Sequence, residues 1–157
     1  YETLRWLLAR NADPSVLDHE RYDAVTIAAV ADDEQGLRDL LAGGASAQLI
    51  TSRYDGTALI AAAHLGHDGV IRQLIQAKAP LDHVNNLHWT AAIEAVVLGD
   101  GGPRHQASLA ALIAAGADLK LSDSQGRAPL ELARQRGFDA MVRMLEAADS
   151  QISKPAR

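Results

Sequence analysis

His64-Leu65-Gly66-His67-Asp68 is the segment of this 157-residue chain best furnished to hold a metal ion. Two imidazoles three residues apart can share one helix face, and a carboxylate follows; all three are acceptable zinc ligands. Gly66 between them is expected to end the helix, however, and no Glu stands where a zinc-protease helix keeps its base. A structural and surface role for both His is therefore the favoured reading. Asp100-Gly101-Gly102-Pro103-Arg104-His105 has the glycines of a phosphate-cradling loop. It lacks the Lys-Ser/Thr pair that grips phosphate and magnesium, and no strand precedes it. Pro103 instead suits the first position of a helix, where its missing N–H costs nothing. Ser46, Ser52, Ser108, Ser122 and Ser124 lie outside any Gly-x-Ser-x-Gly elbow, and Asp82-His83 falls in a polar stretch where such residues are the default. No catalytic residue, cofactor or enzymatic activity is expected. Glu94 interrupts the apolar run Ala92, Ile93, Ala95, Val96, Val97, and a carboxylate buried there must find donors. The expected donors are backbone N–H groups of the glycine-rich segment or Arg104. Glu94→Ala is then expected to lower stability by on the order of 1–3 kcal/mol.

The elements that position these groups must be helices. The composition is 48% hydrophobic but only 4% aromatic, and Ala and Leu dominate it. Ala is the best helix former and its methyl lets helices approach closely, whereas an all-β core would want more Val, Ile, Thr and aromatics. No run of 18 or so uncharged apolar residues is present, so no membrane span is expected. A net charge of −5 counts against nucleic-acid binding, which needs a basic face. Without Cys there is neither a disulfide nor a thiolate metal site.

The chain also repeats itself. Leu7-Leu8-Ala9-Arg10-Asn11-Ala12-Asp13 recurs as Leu40-Leu41-Ala42-Gly43-Gly44-Ala45-Ser46, as Leu74-Ile75-Gln76-Ala77-Lys78-Ala79-Pro80 and as Leu112-Ile113-Ala114-Ala115-Gly116-Ala117-Asp118. The shared Ala12, Ala45, Ala79 and Ala117 step by 33, 34 and 38 residues. A second series, Thr57-Ala58-Leu59, Thr90-Ala91-Ala92 and Ala128-Pro129-Leu130, steps by 33 and 38. A period near 33 marks a stacked helix–turn–helix solenoid. Val70, Leu74 and Ile75 give a longer helix one apolar stripe, and Gly66 and Gly137 permit the turns between paired helices.

In Tyr54-Asp55-Gly56-Thr57-Ala58-Leu59-Ile60-Ala61-Ala62-Ala63-His64-Leu65-Gly66-His67 and in Gln125-Gly126-Arg127-Ala128-Pro129-Leu130-Glu131-Leu132-Ala133, the chain resembles the ankyrin repeats. The Trp89 to Ala95 and Leu98 to His105 segments resemble bacterial members in particular, with an extended turn in the penultimate repeat. The family's His after Pro-Leu is replaced by Ile27, Ile60, Ile93 and Glu131, positions then expected to pack as core. Asp32-Asp33-Glu34 departs from the family's Gly-His turn. The resemblance implies an all-α solenoid of about four and a half repeats, linked by β-hairpin-like fingers. Residues 1–149 form one domain: 1–18 a truncated leading repeat, then repeats at 19–51, 52–84, 85–122 with an insertion at 99–105, and a closing repeat at 123–149. Residues 150–157 are expected to be a flexible tail.

What the resemblance implies for function is a concave binding face made of finger tips and short helices. Matching positions are Arg21, Tyr22, Arg53, Tyr54, Asn86, Leu87, Trp89, Gln125 and Arg127 on the fingers. Asp32, His64, Leu65, Leu98 and Arg136 join them from the short helices. The expected function is non-enzymatic binding of a protein partner, as an inhibitor, immunity-type or scaffold protein, by a chain monomeric on its own. For Trp89 the competing expectation is a ring packed on a neighbouring finger for stability alone. The alternative function is a metal- or small-molecule-binding protein centred on His64, His67 and Asp68. The expected location is periplasmic if a signal peptide preceded Tyr1, and cytoplasmic otherwise.

Overall fold

The computed structural model describes residues 1–152. Its helices are α1 (Glu2–Leu8), α2 (Ala24–Val30), α3 (Glu34–Ala42), α4 (Ala58–Leu65), α5 (Asp68–Gln76), α6 (Ala91–Val97), α7 (Pro103–Ala115), α8 (Pro129–Gln135) and α9 (Asp139–Ile152). Helices α2, α4 and α6 each start at a capping side chain. Asp23, Thr57 and Thr90 accept the backbone N–H groups of Thr26, Ile60 and Ile93, relieving donors that a helix start leaves unpaired. Ala128 cannot do this, and α8 opens on Pro129, which has no N–H to satisfy. Gly66, in the left-handed region at φ 72, closes α4 and turns the chain into α5.

The four helical hairpins stack as the resemblance implies. Helices α2, α4, α6 and α8 lie side by side in one row; α1, α3, α5, α7 and α9 form the other. Ala29, Ala62, Ala63, Ala95 and Ala133 are sealed between them. Leu37, Leu59, Ile71, Leu74, Ile93, Leu109, Leu112 and Met141 fill the space between the rows. The excess of Ala follows from this, since only a small side chain lets the short helices nest at every step. No helix is long and apolar enough to cross a membrane among the described residues.

Four details differ from expectation. The fingers are tight turns rather than strands; among the described residues the one bridge pairs Thr51 with Gly56. Part of the insertion is helix: Pro103, Arg104 and His105 lengthen α7, which has 13 residues against nine in α3 and α5, while residues 99–102 form the turn before it. The register of the first full repeat is one residue off. Asp23 is its cap, so Thr26 rather than Ile27 matches Ile60 and Ile93. Ile27 is 47% exposed while those two are buried, and Glu131 is also exposed. Finally, α9 runs to Ile152 and takes up the start of the segment expected as a tail; residues 153–157 lie outside the described residues.

Candidate functional site

Three fingers share one device. Asp18 accepts the N–H groups of Glu20 and Tyr22, Asn85 those of Leu87 and Trp89, and Asp123 those of Gln125 and Arg127. A short side-chain oxygen thus holds each turn closed. The second finger is one residue longer and has Thr51 at this place. Its hydroxyl turns inward to share a 2.9 Å hydrogen bond with that of Thr26. Neighbouring fingers are tied by backbone: Ser52 N–H donates to Arg21, and Asn86 N–H to Tyr54.

Between the second and third fingers and the short helices α4 and α6 lies a cleft of about 330 Å³. Tyr22, Tyr54, Leu87, Trp89, Ile60, His64 and Leu98 line it, and Thr26, Thr51, Asn85 and Glu94 add polar groups. Tyr54 is 50% exposed, and Trp89 is half-buried and packed against the core, so part of its indole is structural.

Glu94 is the most unusual group in the cleft, at 5% exposure. Asn85 Nδ2 donates to its Oε1 at 2.7 Å. Nδ1 of His64 lies 3.6 Å from its Oε2, outside hydrogen-bond reach. Burial pushes the Glu94 carboxyl up to about 7, and the Asn85 hydrogen bond opposes that only in part. The imidazole of His64 is pushed down, first by burial and then by His105 nearby. Glu94 therefore anchors the finger carrying Leu87 and Trp89, not the glycine-rich segment or Arg104 as expected.

That segment is held otherwise. His105 donates from Nε2 to the His64 carbonyl at 2.8 Å and lies 2.9 Å from Asp100 through Nδ1. Arg104 reaches across a whole repeat to Asp32 at 2.6 Å, and Arg136 donates to the Gly99 carbonyl at 2.9 Å. A Cβ on Gly101 would strike the Phe138 ring at 2.5 Å. The insertion thus ties together the turns of three other repeats, and Asp32 and Arg136 belong to that clamp rather than to the cleft.

The remaining expected site residues divide clearly. Arg53 pairs with Glu20, and Arg21 lies 3.5 Å from Asp55. Asn86 donates to the Arg53 carbonyl, and Leu65 is exposed beyond the cleft. Gln125 and Arg127 sit on the fourth finger, outside the cleft lining; Arg127 is committed to Asp123 at 2.6 Å. The metal grouping does not assemble. His67 Nδ1 donates to the Ala29 carbonyl at 2.8 Å, Asp68 pairs with Arg72 at 2.8 Å, and His64 faces Glu94. Among the described residues no three His, Asp or Glu converge as metal ligands. Asp82 and His83 also part company, one accepting from Asp118 N–H and the other donating to the Asp55 carbonyl.

The residue that sequence reasoning passed over is Asn85. A usable signal existed: three fingers carry Asp or Asn five residues before the helix cap, and the amide occurs where the following helix bears Glu94. An Asp there would set two carboxylates within hydrogen-bond distance.

The ankyrin repeat family pattern matches residues 54–86, from the middle of the second finger through α4 and α5 to the start of the third finger. The chain is 34% identical over 149 residues to the ankyrin repeat protein YahD of Escherichia coli (strain K12), covering 94% of this chain and 74% of that one. Among solved structures, an ankyrin repeat domain from Acinetobacter baumannii AYE superposes with a TM-score of 0.87 at 39% identity, over 92% of this chain and 73% of that one. The ankyrin repeat protein EF0377 superposes at 0.84 with 29% identity, over 90% and 72%.

Proposed function

The chain belongs to the ankyrin-repeat family, and we propose that it is a non-enzymatic module binding a protein partner on its concave face at the Tyr22–Tyr54–Trp89 cleft. Ankyrin repeat proteins are typically interaction modules without catalytic activity. The observation that carries the assignment to this cleft is the placing of the aromatic residues. The chain has only three Tyr, two Trp and one Phe, its core needs few of them, and three of the six line one concave depression. Tyr and Trp supply large contact areas at low entropic cost and dominate interface hot spots. The partner's role sorts the finer readings. An inhibitor or immunity-type protein silences an enzyme it captures, whereas a scaffold leaves its partner active.

The test is capture from a lysate of the source organism by the wild type, by Tyr54→Ala/Leu87→Ala, and by Gln76→Ala on the opposite helix row. A partner retained by wild type and Gln76→Ala but lost from the double variant supports the assignment. Equal capture by all three moves the binding face elsewhere.

A further inference from the structure

We propose that the cleft receives a basic side chain, arginine or lysine, presented by an exposed segment of the partner, and that Glu94 selects it. The inference rests on the concave-face reading and gives it a chemistry. It starts from an imbalance in hydrogen bonding. Oε1 of Glu94 is taken by Asn85, whereas no donor among the described residues lies within hydrogen-bond distance of Oε2. A carboxylate largely withdrawn from water with one oxygen unpaired is costly, and a cation brought to it offsets that cost. The basic group facing it, the His64 imidazole 3.6 Å from Oε2, is held towards its neutral form by burial and then by His105. At the rim, Arg53 is committed to Glu20 and Arg21 lies against Asp55.

Shape and lining agree. About 330 Å³ is at the small end for ligand pockets and suits one long side chain rather than a helix or strand. Trp89, Tyr54, Leu87 and Ile60 provide apolar surface along the route to Glu94. The aliphatic stem of Arg or Lys packs on such walls while its charged head reaches the carboxylate, and aromatic faces attract the cation itself. Burial pushes the Glu94 carboxyl up to about 7, so a cation bound there must also draw it into the ionised form.

The experiment selects a random linear phage-displayed peptide library on immobilised wild type and on Glu94→Gln, which keeps an oxygen to accept from Asn85. Selected peptides are then titrated against protein carrying Trp6→Phe, so that Trp89 emission alone reports occupation of the cleft. The expected result is enrichment of Arg or Lys on wild type but not on Glu94→Gln. Binding should weaken about ten-fold or more when neutral citrulline replaces the arginine. Peptides that perturb Trp89 yet bind both proteins and their citrulline forms equally overturn the cation proposal and leave the concave-face reading standing. Selected peptides that leave Trp89 unperturbed, or no enrichment on either protein, overturn both.

Discussion

The third and fourth fingers solve the same folding problem with different electrostatics. In each, one side-chain oxygen accepts two backbone N–H groups two and four residues ahead. On the fourth finger that residue is Asp123, and its charge is answered locally by Arg127, which holds the carboxyl below its ordinary range together with the backbone donors. On the third it is neutral Asn85, whose amide is committed to Glu94 on α6. One finger is electrically complete. The other leaves one carboxyl oxygen of the largely buried Glu94 facing a cleft. The fourth turn is thus satisfied within itself, while its counterpart opens onto the cleft proposed as the binding site.

Reciprocal exchanges break this comparison most strongly. Asn85→Asp sets a second carboxylate against Glu94, and we expect a loss of on the order of 2–4 kcal/mol at pH 8. Urea unfolding should show the loss shrinking towards pH 5, where one proton can bridge the pair. Asp123→Asn keeps both accepted N–H groups and forfeits only the Arg127 pair. Its urea midpoint should move far less than that of Asn85→Asp.

The pH dependence sharpens the same contrast. Glu94 has a folded-state value near 7, above its ordinary 4.5, so the folded state holds the proton more tightly. Its contribution to stability is full below about 4.5, falls as pH rises towards about 7, and is flat above that. Glu94→Gln should remove this slope and be more stable than wild type at pH 8 by on the order of 1–3 kcal/mol. Asp123 carries the opposite sign: its depressed value adds stability above the ordinary carboxylate range and loses it as pH falls through the folded-state value. Thermal melts from pH 2 to 8 on wild type and the two single variants would separate the contributions, the Asp123 slope lying below its ordinary 3.8 and the Glu94 slope above 4.5.

The smallest effect expected concerns Tyr54. Its ring is half exposed, so Tyr54→Ala should shift stability by less than about 0.5 kcal/mol while weakening partner capture. A large loss of stability with capture retained would make the ring a structural element.

Much of the architecture was legible because a solenoid writes each unit into the chain again. The Ala steps, the Thr57 and Thr90 caps and Pro103 all reported local geometry, which spacing encodes directly. Contacts reaching beyond the local element were not legible. Ile27 falls out of register because Asp23 stands where Thr57 and Thr90 cap α4 and α6. Glu94 was singled out for the right physical reason but given the wrong donor, since Asn85 lies on a finger that no helical period links to α6. The His64, His67 and Asp68 grouping dissolved because the left-handed turn at Gly66 sends the two rings to different neighbours. Spacing puts Tyr22, Tyr54 and Trp89 on the fingers, but that Glu94 lines one cleft with them is a tertiary contact.

The most direct test of the central claim is site-specific photocrosslinking. Benzoylphenylalanine is placed at the Tyr54 position in the cleft and, separately, at the Gln76 position on the opposite row, in the source organism. The account predicts a crosslinked partner from position 54 and none from 76. A partner captured from 76 alone would contradict it.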